Sequence, residues 1–476
     1  MVIMTLVKSI ASNTLWQIIG KIIGTFLGIV TIGLLTRYLG QTGFGYYTTA
    51  LAFMQFFGVL VDMGLYLICL REISAHPDKE QFIVSNIFTL RIISAFIFIG
   101  GGTLLIFLFP YPSIVKYSAL IVSVSFFFMS LIQVLTTVFQ KNLKMAQVAI
   151  AEVLGRVGFL TVIFLFIFFK GNLPTLMLGN IVNTLIYFLI LWFLIKRYVQ
   201  IKWLINLIYW KEIIIKTWPI ALGVILNLVY FRADTIILSL YKSASEVGIY
   251  GAPYKILEIV TTFPHMFMGL VMPLLTAAWL VNNRERFQNI LQHTFDFFLI
   301  IIIPMILGAL PLSYGIMKLI AGNDFIESSV ILPILMLATG LIFLGTMFTY
   351  TLVILEKQKT MLKYFGLAAL FSLIGYFIFI PRYSYFGAAW VTVIIEAFIT
   401  IIALILTLHY SKIRLKLNIL WKSLLSSIIM TSTLFYLLSF NLNIILLLII
   451  AALIYFIFLY LCKGINKEFI KNILSK

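Results

Sequence analysis

The chain has 476 residues, of which 62% are hydrophobic and only 11% charged. Soluble domains run at about 45–50% apolar and about 25% charged residues, so a water-soluble fold is excluded. The net charge of +18 lies in small groups between apolar blocks, which fits the flanks of membrane helices rather than a nucleic-acid surface.

Those blocks are about 20 residues or longer, enough to cross the ~30 Å hydrocarbon core as helices. Ten-residue segments alternating polar and apolar, which a transmembrane barrel needs, are not found. In chain order the pattern predicts fourteen spans, at 12–36, 44–70, 82–109, 113–139, 146–169, 173–195, 212–240, 247–279, 288–310, 328–355, 361–380, 384–409, 418–439 and 442–462. Lys8 precedes a first span without a small-residue cleavage site, so that span is read as retained. With the N-terminus in the cytoplasm, twenty-three lysines and arginines fall on the cytoplasmic side and five lie within spans. The outer side receives only Arg37, Lys116, Lys170, Lys242, Lys318 and Arg382. This asymmetry supports an even number of spans with both termini inside. Anionic inner-leaflet lipids are the expected general partner of the basic face.

Two halves are expected. The stretch from Lys196 to Lys216 mixes tryptophan and tyrosine with basic residues, as interfacial segments do. It sets limits at 1–200 for an N-lobe, 201–410 for a C-lobe with an interfacial helix at about 198–211, and 411–476 for two further spans and a cytoplasmic tail. A weak internal repeat supports them. Gly43-Phe44-Gly45-Tyr46-Tyr47 returns 203 positions later as Val247-Gly248-Ile249-Tyr250, and Gln140-Lys141 is echoed by Glu356-Lys357. Parallel six-span halves are a transporter architecture.

Within the spans, ionisable side chains are expensive and must face protein or water. Lys21, Arg232 and Lys255 form a candidate set for an anionic head group such as a diphosphate. Asp62, Asp234 and Glu258 are candidate sites for coupling to H+ or Na+, with Arg37, Arg91 and Glu396 as secondary candidates. Lys255 and Glu258, three apart, share a helix face and can neutralise each other. Glu152 and Arg156, four apart, read as a structural ion pair. Asp296 reads as a solvated or helix-bonded acid. Prolines at 219, 253, 264, 273, 304 and 333 mark possible kink positions. Metal-ligand clusters, phosphate-binding loops and nucleophile elbows are not found, so no cofactor and no enzymatic activity is expected.

The ordered motifs Asn13-Thr14-Leu15-Trp16, Leu35-Thr36-Arg37-Tyr38-Leu39-Gly40, Asp62-Met63-Gly64-Leu65, Asp234-Thr235-Ile236-Ile237-Leu238, Tyr254-Lys255 and Phe386-Gly387-Ala388-Ala389-Trp390 resemble those of polysaccharide or O-antigen flippases in the multidrug/oligosaccharidyl-lipid/polysaccharide exporter superfamily. The resemblance implies an all-α, two-lobed, V-shaped bundle in a bacterial cytoplasmic membrane. It implies a substrate of polyprenyl-diphosphate-linked oligosaccharide, moved to the outer leaflet by alternating access, with glycan-assembly proteins as further partners. It also implies that spans one, two, seven and eight line a cavity, bringing Lys21, Asp62, Arg232, Asp234, Lys255 and Glu258 together. The competing readings are a cation-coupled drug exporter of the same fold and, less favoured for want of a large outer loop, a membrane glycan polymerase or glycosyltransferase.

Overall fold

The structure is a computed structural model that describes residues 2–464, with side chains from Trp16 onward except Pro219. The tail lysines Lys467, Lys471 and Lys476 lie outside the described residues, as do the side chains of Lys8 and Asn13-Thr14-Leu15. Hydrocarbon offers the backbone no hydrogen-bond partner, so spanning segments must bond internally. The described residues accordingly form thirteen α-helices and three short 3-10 turns. They are α1 (Val2–Asp62), α2 (Leu65–Ala75), α3 (Glu80–Leu105), α4 (Ser113–Lys141), α5 (Met145–Phe168), α6 (Leu173–Ile195), α7 (Leu207–Tyr241), α8 (Ala244–Leu280), α9 (Arg284–Ile320), α10 (Leu332–Ile354), α11 (Gln358–Ser411), α12 (Asn418–Leu438) and α13 (Ile444–Leu461).

Two of these helices are double. Straight, the 54 residues of α11 would reach about 81 Å, far beyond the bilayer core. The helix turns back at Ser384 (φ 51°), so that Tyr376 Oη meets Thr392 Oγ1 at 3.1 Å. α1 breaks likewise at Gly40 (φ 62°), a left-handed position that glycine adopts without a Cβ penalty. With α1 and α11 each counted twice, the twelve sufficiently long, apolar helical stretches give the fourteen expected passes. The bundle is all-α, with six passes before the connection at 196–206 and eight after it.

The chain divides into two compact units, residues 1–248 and 249–476. The limits expected from the interfacial stretch Lys196 to Lys216 place the first division near 200; by contacts α7 packs with the first unit, against α1, α2 and α3. The core of that unit is built by α2, α3, α4 and α6 around Ile87, Leu135, Phe139 and Leu191. In the second unit α12 and α13 pack on α9 through Met430, Leu434 and Tyr455, whose hydroxyl bonds the Ile300 carbonyl at 2.8 Å.

The helix expected at about 198–211 is instead an extended strap over 199–206, with α7 starting at Leu207. Side chains of α3 explain the difference. Ser85, Thr89 and Asn86 accept the backbone N–H of Lys202, Leu204 and Asn206 at 3.0, 3.4 and 3.0 Å. Alternate residues thus face α3, the period of an extended chain, and these N–H groups are not available to a helix. The second unit repeats the device: Gln288 and Gln292 of α9 bond the strap after α11 at Arg414 and Lys416. Gln288 and Gln292 stand 203 positions after Ser85 and Thr89, the spacing of the glycine-tyrosine echo.

That echo has a packing role as well. Inside the first unit, a Cβ on Gly45 would lie 1.7 Å from the Ala244 carbonyl oxygen, and one on Gly248 would lie 2.0 Å from that of Gln41. Two backbones touch there, and no larger residue fits at either position.

Candidate functional site

The first unit holds a cavity of about 460 Å³. It is placed by a run of small residues that the sequence reading passed over, Gly20-x3-Gly24-x3-Gly28 on α1. Such spacing lets helices approach closely in a membrane. A Cβ on Gly20 would sit 2.8 Å from Ala149 Cβ, and one on Gly24 would sit 3.1 Å from Arg156 Nε. α5 therefore lies against α1, and Arg156 reaches across to donate to the Gly24 carbonyl at 3.0 Å.

The helix break at Met63-Gly64 shapes the opposite wall. Met63 (φ 40°) and Gly64 (φ 81°) are left-handed, and Asp62 caps the resumed helix, accepting from the N–H of Gly64 at 3.3 Å and of Tyr66 at 3.4 Å. Arg91, fully enclosed on α3, donates to Asp62 Oδ1 at 2.6 Å and to the Val61 carbonyl at 2.8 Å. Tyr66 is held by Gln140. An acid and a phenol are thus fixed by one guanidinium and one amide on this wall.

Lys21, Asp62, Tyr66, Gln133, Glu152, Arg156, Asn183 and Tyr187 all line this cavity. Glu152 and Arg156 form the expected pair at 2.8 Å. With Asp62 tied to Arg91, each acid on the wall has a guanidinium partner. Lys21 remains: among the described residues it makes no ion pair or hydrogen bond, so the wall carries one uncompensated positive charge. A bound monoanionic group would meet it in a partly water-excluded site, where charges act more strongly than in bulk water.

The other expected residues are placed elsewhere. Arg232 and Asp234 sit enclosed on α7 in the first unit and do not line the cavity. The Asp234 carboxylate accepts from the Thr235 N–H and hydroxyl, at 2.5 and 3.1 Å. Lys255 and Glu258 of α8, in the second unit, pair with each other at 2.8 Å. Glu396 is buried in the second half of α11. Arg37 is exposed and donates to the Gly33 carbonyl of its own helix at 3.3 Å. Asp296 accepts from Gln292 at 2.8 Å. The second unit has its own hollow of about 450 Å³, almost wholly apolar, between Pro304 and Met305 of α9, Met430 of α12 and Leu448 and Phe456 of α13. Among the described residues no cluster of three metal-ligating side chains occurs. Gln133, Asn183, Tyr66 and Tyr187 were missed by the sequence reading, because an uncharged polar residue inside a span is no signal by itself.

Comparison with known proteins agrees with this architecture. The chain is 24% identical over 348 residues to the "Putative O-antigen transporter" of Shigella flexneri, covering 69% of this chain and 81% of that one. It is 25% identical over 324 residues to the "Capsular polysaccharide biosynthesis protein CapF" of Staphylococcus aureus, covering 67% and 78%. Among solved structures, the fold is similar to that of the lipid II flippase MurJ in an inward closed conformation, with a TM-score of 0.75 at 17% identity over 97% of this chain and 99% of that one. It is also similar to a multidrug resistance MATE family transporter of the MOP superfamily, with a TM-score of 0.60 at 14% identity over 83% and 93%. The sequence profile described as "Polysaccharide biosynthesis protein" matches residues 10–279, more than half of the chain. With its fold that of the MOP-superfamily exporters, the chain belongs to the polysaccharide biosynthesis protein family.

Proposed function

We propose that the protein is a flippase that carries an undecaprenyl-diphosphate-linked oligosaccharide, a repeat unit of O-antigen, capsule or exopolysaccharide, from the cytoplasmic to the outer leaflet of a bacterial inner membrane. Both termini would be cytoplasmic, a placement that the lysine and arginine distribution supports. The single observation behind this reading is a polar cavity within the span region whose acids are paired and whose Lys21 is not. A lipid anchor has no need of a polar chamber, whereas a diphosphate and its sugars do. The relatives named for O-antigen and capsule supply the substrate class.

Lys21 is the leading diphosphate contact in this proposal. Lys255, paired with Glu258, would have to exchange its carboxylate for phosphate, and Arg232 would act from α7. For coupling to H+ or Na+, a cation at Asp62 or Glu258 must displace a positive group already in place. Asp234, whose carboxylate accepts from the Thr235 N–H and hydroxyl, is the third candidate acid beside them.

The test is complementation in a strain lacking the gene. Lys21→Ala, inserted in the membrane at normal levels, is expected to lose surface glycan, with Arg232→Ala/Lys255→Ala as the companion variant. Full glycan assembly by all three substitutions together would remove the diphosphate role. A deletion strain with intact glycan but raised drug susceptibility would favour the drug-exporter reading.

A further inference from the structure

Two neutral amides face the same cavity from different helices. Gln133 projects from α4 and Asn183 from α6, and both line the hollow with Lys21. Among the described residues neither amide side chain makes a hydrogen bond. An amide has two donors and an oxygen acceptor, and leaving such a group unpaired inside a span is unfavourable. Most polar side chains in the spans avoid this by bonding a carbonyl of their own helix; Thr136, Thr184 and Asn86 do so. Gln133 and Asn183 do not.

Asn183 has also been given room. A Cβ on Gly155 of α5 would lie 2.6 Å from the Asn183 carbonyl oxygen and 2.7 Å from Asn183 Oδ1, so glycine there admits both the backbone and the amide of Asn183 beside α5. The phenol rings of Tyr66 and Tyr187 flank the same space. An aromatic face beside amides and one cation suits a hydroxyl-rich ring attached to an anionic group.

We propose that Gln133 and Asn183, with Lys21, form a sugar-recognising subsite that holds the sugar residue directly attached to the diphosphate. Lys21 takes a phosphate oxygen, and the two amides bond that sugar's hydroxyl or acetamido groups. This rests on the glycan-carrier reading above and adds to it the part of the substrate that is selected. Amides that line a cavity and hydrogen-bond a ligand there discriminate against one that leaves them unpaired.

The test uses the full chain in lipid nanodiscs, titrated with UDP-glucose and with UDP as soluble stand-ins for a sugar diphosphate and a bare one. Wild type is expected to bind UDP-glucose about tenfold more tightly than UDP, the increment of one or two net hydrogen bonds. Gln133→Ala and Asn183→Ala should bind both probes alike, and Lys21→Ala should weaken both. Gly155→Ala, which leaves both amides in the sequence but crowds Asn183, should reduce the preference too. Thermal unfolding confirms that each variant is folded, and Gln133→Glu and Asn183→Asp serve as near-isosteric replacements if an alanine variant is not. Amide variants that retain the sugar preference overturn the subsite, while loss of both probes in Lys21→Ala would leave the carrier reading standing. A wild type that binds neither probe removes both.

Discussion

Arg91 Nη2 stands 2.6 Å from Asp62 Oδ1, and Nη1 of the same guanidinium donates 2.8 Å to the carbonyl of the preceding residue, Val61. One enclosed side chain therefore closes both exposed groups of a helix interrupted inside the membrane. Truncation would leave a carboxylate and a carbonyl without their partner. Arg91→Ala is expected to lower stability by about 3 kcal/mol, read as a drop in thermal unfolding temperature in detergent. Arg91→Lys, which keeps the charge but not the planar two-pronged donor, should recover part of it. An Arg91→Ala protein as stable as wild type would mean the break is held by backbone packing alone.

The glycines at the interruption and at the helix crossing have no spare volume. At Gly64, φ is 81° and a Cβ would lie 2.5 Å from Ile220 Cγ2. Gly64→Ala should cost about 1–3 kcal/mol. Gly45→Ala and Gly248→Ala meet backbone oxygens rather than flexible side chains, so they should be worse. Quantitative immunoblotting of membranes is expected to show less Gly45→Ala and Gly248→Ala protein than Gly100→Ala protein, because Gly100 faces open space.

The straps answer to single side chains. Gln292 both donates to the Lys416 carbonyl at 2.9 Å and accepts from its N–H at 2.7 Å. Gln292→Ala should free 412–417 and speed cleavage there by trypsin, which cuts after lysine and arginine. Asn86→Ala should do the same at Lys202. Limited proteolysis followed by mass spectrometry of the fragments checks both, and unchanged cleavage rates would show that the straps are held by packing.

Lys255 and Glu258 separate two roles of one charge. If Lys255 serves chiefly to neutralise its neighbour, Lys255→Met alone removes that ammonium from the Glu258 carboxylate and destabilises the protein, while Lys255→Met/Glu258→Met restores stability. A double-mutant cycle is expected to give a coupling of about 0.5–1 kcal/mol for this partly exposed pair. Glycan assembly that fails in the double variant despite restored stability would assign Lys255 to the substrate.

A pH effect is expected where α7 precedes its spanning part. Lys216 lies 2.7 Å from Glu212 and 3.0 Å from Glu72. Hydrogen bonding to Glu212 and then to Glu72 pushes the Lys216 ammonium above the ordinary lysine value, and bonding to Lys216 holds the Glu212 carboxyl below its own. The lysine's share of stability is present below its unfolded pKa and lost as pH rises through the folded one. The Glu212 share is present above its unfolded pKa and lost as pH falls through the folded one. The stability difference between wild type and Lys216→Ala should therefore be flat near neutral pH and fade below about pH 4. Melting curves across that range test it, and a difference unchanged into acid would exclude the ion pairs as its source. The effect should be small, since both side chains are largely exposed.

Much of the fold was legible in the sequence, because the bilayer leaves few choices. A long apolar run must become a helix, its length is set by the membrane, and basic residues mark its ends. That is why the fourteen passes, the all-α class and the repeat of Gly45 at Gly248 could be read from spacing. The Glu152–Arg156 and Lys255–Glu258 pairs were legible too, since three- and four-residue spacing places side chains on one helical face. Tertiary structure alone decided how distant residues meet. The sequence does not show that Arg91 reaches Asp62, that α3 holds 199–206 extended, or that Lys21 shares a wall with Gln133 and Asn183. Hydropathy reports the cost of placing a residue in lipid; whether that cost is met by a partner, a neighbouring backbone or an open cavity depends on which helices pack together, and small residues such as Gly20, Gly24 and Gly155 settle that by the space they leave.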